Sequence, residues 1–282
     1  MIGEVLLGRY RVEELLESDV RGRVWRGVDL CGPRLVLLEL WAEGTDPVRA
    51  LLQGEAMAAV RHPDVLGLLD FGLHAGAHPC LVMEWAEGSD LGVRLASRKR
   101  LPWAEAFDAV ARVLDALAAL HDEGLVHTNL SPQALIVDAE IHGAVKVAGL
   151  RHICMATEGA APLLEVALQT TALPYMAPEL LAGTQLQPAA DVFALGVVLW
   201  EAITGERPFA IAPRDITIRL GFRPNFDTAP AIPPLARRAL MRMLEPSPRH
   251  REGSARACAR RLRAALAVDE PSPLLCCDRV AV

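Results

Sequence analysis

The first third of the chain changes between apolar and polar positions in short, strand-like runs. Tyr10 to Leu16, Arg23 to Val28 and Arg34 to Trp41 are β-prone and are separated by Asp, Gly and Pro signals. From Pro47 to Val60 the pattern becomes helical, with Leu51, Leu52, Met57 and Val60 on the apolar side. Val65 to Phe71 and Pro79 to Trp85 read as two more strands. This part predicts a mostly antiparallel sheet with one helix.

The character changes after Ala86-Glu87-Gly88-Ser89. Trp103 to His121 predicts a long amphipathic helix, with Phe107, Val110, Leu114, Leu117 and His121 at helical spacing and Gly124 after its end. Two short strands, Ala134 to Val137 and Val145 to Val147, flank His142-Gly143. A long loop follows, up to Pro178, and a loop of that length inside a compact domain is usually functional. Asp191 to Thr204 is apolar almost all round, which predicts a buried central helix. Leu235 to Leu244 and Ser254 to Leu266 supply further helices. The fold class is α+β. Residues 1–86 form a small lobe of antiparallel sheet with the helix 47–60, residues 87–267 a larger, mainly helical lobe, and 268–282 a flexible tail.

With 52% apolar residues among 282, the chain can bury a sizeable core. Its net charge of −6, with no Lys/Arg run, argues against nucleic-acid or polybasic membrane binding. No apolar run reaches the roughly 18 residues of a membrane span, and Met1-Ile2-Gly3-Glu4 lacks the layout of a signal peptide. Cys31, Cys80, Cys154, Cys258, Cys276 and Cys277 include no Cys-x-x-Cys pair, so zinc is not expected. They read as reduced thiols of a cytoplasmic protein, the last two in a plain tail.

Several short motifs then fall in one order. They are Arg61-His62-Pro63, Met83 to Gly88, Leu120 to His127, Tyr175-Met176-Ala177-Pro178-Glu179, Asp191 to Gly196, and Thr204-Gly205 with Pro208-Phe209. Order and spacing together resemble the serine/threonine protein kinase family, particularly its bacterial branch, from about Gly8 to Leu266. The resemblance implies a two-lobed kinase fold, with Met83 to Gly88 as the hinge. It implies a buried ion pair between Glu179 and Arg249. It also implies a hydrophobic spine of Met57, Leu68, His127 and Leu150, with Asp191 anchoring the spine at the His127 loop. Asp70-Phe71-Gly72 spells the family's metal-binding tripeptide but precedes the hinge, so it reads as a strand end closed by a glycine turn.

Against that template the chemical positions differ. The nucleotide loop reads Leu16 to Val24, with Glu17 and Asp19 where glycines should approach phosphate and only Gly22 kept. Glu39 stands in place of the phosphate-binding lysine, and Gln53 in place of its helix partner; the two are expected to hydrogen-bond. Thr128 and Asn129 replace the arginine and the base of the catalytic loop, and an amide is a negligible base near neutral pH. Ser131 replaces a lysine, and Ala134 and Gly149 replace the magnesium ligands. Arg151 adds a cation where the metal would sit. Val24, Leu37 and Ile136, with Met83 and Ala86 nearby, are expected to close the adenine slot as an apolar plug.

These departures predict a pseudokinase rather than an enzyme, with no catalytic residues, no metal and no cofactor. The expected role is a protein-binding scaffold or allosteric regulator. Its partner would be an active serine/threonine kinase or a phosphothreonine-reading domain that takes up Thr157, Thr170 or Thr171. The alternative is a weak or atypical nucleotide-binding transferase using the degenerate cleft.

Overall fold

A computed structural model describes residues 1–138, 144–157, 172–184, 186–208 and 232–269. The N-terminal part is a six-stranded antiparallel sheet in the order β1-β2-β3-β4-β6-β5. Its strands are β1 Val5–Leu6, β2 Tyr10–Asp19, β3 Gly22–Asp29, β4 Leu35–Trp41, β5 Leu68–His74 and β6 His78–Glu84. Alternation along β4 sends Val36, Leu38 and Leu40 into a small outer core with Tyr10, Val12 and Trp25. Leu37 and Glu39, the residues between them, line the cleft side of the sheet instead.

Helix α1, Pro47–Ala59, crosses behind the sheet. Asp46 caps it by accepting from Val48 N, and Pro47 suits the first turn, where no N–H is needed. The face turned inward is Ala50, Gln53, Gly54 and Met57. Leu52, read from the pattern as apolar facing, is exposed instead. The reason is contact with β5: a Cβ on Gly54 would stand 2.4 Å from the Phe71 ring, so the helix seats through its small residue. Val65 and Leu66 precede β5 and pair with Val147 of the C-terminal part. Gly72 lies inside β5, not at a turn; the turn comes at Ala75-Gly76. Asp70 accepts from Tyr10 Oη at 3.1 Å within the sheet.

The C-terminal part is built on α3, Trp103–Asp122, and α5, Ala189–Thr204, which pack together. Phe107, Leu114, Leu117 and Leu120 of α3 are sealed from water. Between the sheet and α3 lies α2, Leu91–Arg98, capped by Asp90 and unforeseen in the pattern because it spans barely two turns. Short strands β7 Ser89–Asp90, β9 Leu135–Val137 and β10 Val145–Val147 form one ribbon, and β8 Leu125–Val126 pairs with β11 Cys154–Met155. Helices α4 Pro178–Leu181, α6 Pro234–Met243 and α7 Ala255–Asp269 complete the described α-helices. One apolar core runs through both parts, from Met57 and Leu81 to Leu120, Leu150 and Phe193. The ion pair expected between Glu179 and Arg249 forms with Arg251 instead, Nη1 to Oε1 at 2.6 Å and Nη2 to Oε2 at 2.9 Å. Arg249 lies on the outer side of the short turn Pro248–His250 and is exposed.

Phe209, Thr170, Thr171, Cys276 and Cys277 lie outside the described residues. Thr157 is exposed. The described cysteines are free, Cys31 on the surface and Cys80, Cys154 and Cys258 buried. Among the described residues no helix is long and apolar enough to cross a membrane.

Candidate functional site

The cleft lies between the sheet and the catalytic-loop region. Leu16, Glu17, Val24, Leu37 and Glu39 line it from above, Ala86 from the connecting segment, and Asn129, Ser131, Ala134, Ile136 and Gly149 from below. It encloses about 570 Å³, within the size range of small-molecule sites. Val24, Leu37 and Ile136 therefore wall the slot but leave it open, contrary to the expected plug. Met83 is fully buried in β6 and is not part of that wall.

The other end of the cleft is closed by charge. Asp19 ends β2, and its Oδ1 accepts from Arg21 N at 2.8 Å and Gly22 N at 3.1 Å, which turns the chain into β3. Gly22 is required there because a Cβ would fall 1.9 Å from Leu40 O, at a φ of +143°. Asp19 Oδ2 accepts from Arg151 Nη2 at 2.9 Å and faces His152 Nε2 at 3.3 Å. Glu17 Oε1 lies 3.2 Å from Arg151 Nη2. From β4, Glu39 Oε2 accepts from Arg151 N at 2.8 Å, and Trp41 Nε1 donates to Arg151 O at 3.2 Å. Gln53 Nε2 donates to Ile153 O at 2.9 Å. Glu39 and Gln53 thus do not pair with each other. Each holds the 151–153 backbone, which stands between them.

Burial sets the electrostatics of this end. It pushes the Glu39 carboxyl up to about 7, against the pull of Arg151. Burial also drives His152 down to about 4, despite Asp19 at its edge. Burial alone would raise Asp19, but His152 and Arg151 outweigh it and hold that carboxyl well below its usual range. Burial would lower Arg151, and Glu39, Glu17 and Asp19 reverse that and raise it.

Below the cleft, Asp191 organises the loop. Its Oδ2 accepts from His127 N at 2.8 Å and meets His121 Nε2 at 2.9 Å, and its Oδ1 accepts from Thr128 N at 2.9 Å. Thr128 has a φ of +65°, a strained conformation for a β-branched residue. Its Oγ1 donates to His152 O at 2.8 Å, which ties the loop to the charged end. His127 Nε2 donates to Ala148 O at 2.8 Å, and burial lowers the ring's pKa, favouring the neutral form. Met57, Leu68 and Leu150 line a second cavity, of about 200 Å³, between α1, β5 and α3.

A Cβ on Gly149 would stand 4.0 Å from that of Ala134, so the two positions that hold magnesium in the resembled family face each other here. Neither carries an oxygen in its side chain. The residues present do not fit a divalent cation, because hard metal ions need several oxygen ligands. Asn129 offers an amide and Ser131 a buried hydroxyl where the family has a base and a lysine.

The protein kinase domain model matches residues 47–262. The chain belongs to the protein kinase domain family. It is 31% identical over 242 residues to serine/threonine-protein kinase PknA of Mycobacterium tuberculosis, covering 83% of this chain and 54% of that protein. It is 29% identical to serine/threonine-protein kinase pkn3 of Myxococcus xanthus, covering 93% of this chain and 51% of that protein. It is also 29% identical to serine/threonine-protein kinase PkaB of Streptomyces coelicolor, covering 93% and 66%. The chain thus spans about half the length of PknA and pkn3. These names correct one expectation. Relatives that match most of the chain are named as kinases, which points to an enzyme and overturns the reading of a non-enzyme.

Three residues of this kinase-family site escaped the sequence reading. His152 and Trp41 each bond across the cleft, and Arg251 replaces Arg249 in the ion pair. The position of His152 beside Arg151, the cation that faces Glu17 and Asp19, was a signal available for the first of them.

Proposed function

We propose that this chain works in serine/threonine kinase signalling chiefly as a protein-binding regulator or scaffold, in a shape its own side chains hold together. One observation carries the reading: the Arg151 guanidinium, 1% exposed, occupies the phosphate end of the cleft in ion pairs with Asp19 and Glu17. Pinning of the 151–153 backbone by Glu39, Trp41 and Gln53 supports it, because side chains of the first lobe bond directly to the backbone of the second. The working unit is the pair of lobes, 1–86 and 87–267, with 268–282 as a tail. The partner is an active serine/threonine kinase domain or a phosphothreonine-reading domain, and the setting is the cytoplasm.

A second reading, an atypical nucleotide-binding transferase, is favoured by the open cavity of about 570 Å³. Phosphoryl transfer in this cleft would proceed without a carboxylate at 129 or 149 and without the usual lysine at 39.

Thermal unfolding with ATP, with and without Mg²⁺, separates the two. A single specific site stabilises by about 2.7 kcal/mol at a hundredfold excess over Kd. The regulator reading expects no metal-dependent shift. It also expects the rate of a purified active kinase domain to change on mixing, and to change equally with the Asn129→Ala variant. A partner rate that stays unchanged on mixing, or that changes only while Asn129 is present, would overturn it.

A further inference from the structure

Arg151 is held by two separate sets of contacts. Its backbone is fixed by β4, through Glu39 at the N–H and Trp41 at the carbonyl. Its side chain is paired with the tip of the β2–β3 hairpin, through Asp19 and Glu17. The two sets come from different places, so the hairpin tip can lift while Arg151 stays where it is. Nε of this buried guanidinium has no hydrogen-bond partner. An arginine normally spends its donors when buried, so this one keeps capacity in reserve. Glu17 is 59% exposed, so it returns to water at little cost when the hairpin moves. The apolar end of the cleft is open, and only the charged end is shut.

We propose that Arg151 is a built-in counter-cation for phosphate, masked by Glu17 and Asp19, so that the hairpin acts as an autoinhibitory clasp on the cleft. When the clasp opens, phosphate oxygens replace the two carboxylates on the guanidinium. The exchange creates no new buried charge, because one anionic partner takes the place of another. It also needs no metal, which suits positions 134 and 149. With the clasp shut, a phosphorylated ligand meets the carboxylates of Glu17 and Asp19 together, and their repulsion turns it away. His152, the other titratable group at Asp19, carries its charge only in acid and leaves this balance unchanged near neutral pH.

The inference rests on the shut charged end that carries the regulator reading, but its test does not involve a partner protein, so either can fail alone. The test compares ATP and adenosine, by calorimetry without metal, on the full chain and on the isosteric double variant Glu17→Gln with Asp19→Asn. Both amides keep an oxygen for the hairpin turn. ATP should bind the double variant about tenfold or more tightly than the wild type, while adenosine changes by less than about twofold. Adding Arg151→Gln to the double variant should abolish the gain. Hydrogen exchange at residues 17–22 should also rise in the double variant, and a circular dichroism spectrum confirms that each variant is folded. Equal ATP affinity in wild type and double variant would overturn the clasp. So would a gain that survives Arg151→Gln.

Discussion

Arg151 and Arg251 are both sealed from water, and they are held in opposite ways. Arg251 uses every donor. Two go to Glu179, and the others to the carbonyls of Glu245, Ala189 and Pro246, while its Cζ lies 4.8 Å from the centre of the Phe193 ring. Its partners come from α4, the start of α5 and the turn around 246, all firmly packed. Arg151 meets carboxylates through Nη2, on a hairpin tip, and leaves Nε unpaired. A saturated buried arginine is architecture, since nothing further can be gained by moving it. An arginine held by one edge beside an open cavity is a group whose partners can be exchanged.

The contrast can be broken most sharply at Arg251. Its change to alanine leaves Glu179 buried and unpaired and should cost about 3–5 kcal/mol in urea unfolding. A loss below about 1 kcal/mol would mean that the pair is not structural. Arg151→Ala should cost less, about 2–3 kcal/mol, because Glu17 resolvates and Glu39 takes up a proton. Equal losses at the two sites would erase the distinction between them.

Glu39→Gln sharpens the comparison through pH. The amide can still accept from Arg151 N, so the variant isolates the charge. Glu39 binds its proton more tightly folded than unfolded. Its stabilising contribution is therefore complete below the ordinary value of 4.5 and lost as pH rises through about 7. His152 runs the other way, losing stability as pH falls from 6.5 through about 4, and it is present in both proteins. The stability of the variant relative to wild type should therefore rise between about pH 5 and about pH 8, by on the order of 3 kcal/mol. A flat difference in parallel thermal melts would place the Glu39 proton elsewhere. The smallest effect is expected at Arg249→Ala, within about 0.5 kcal/mol of wild type.

The same two arginines mark how far the sequence could be read. Long helices with an apolar stripe, such as α3 and α5, were legible because period alone separates buried from exposed faces. The strands of the small lobe were legible as short β-prone runs, but their order in the sheet was not. Within Arg249-His250-Arg251, however, two arginines lie two residues apart, and only the geometry of the turn decides which one enters the core. At Gln53 the expected partner was Glu39, but the chain at 151–153 comes between them, a relation between distant segments that no local pattern records. Leu52 was misplaced for a similar reason, since Phe71 claims the side of α1 that carries glycine. The open slot was also unreadable, because an unfilled volume depends on how far apart the lobes settle. The bare positions 129, 134 and 149 were visible at once, since they are matters of residue type.

The bond between Asp19 and Arg151 joins residues 132 apart in the chain. Closing so long a loop is entropically expensive, so such a contact forms late, after the local hairpin and the helices it spans. On a ribosome the hairpin is made well before Arg151 exists, so Glu17 and Asp19 emerge without the partner that Arg151 later supplies. The fully assembled cleft is then also a record that synthesis passed residue 151.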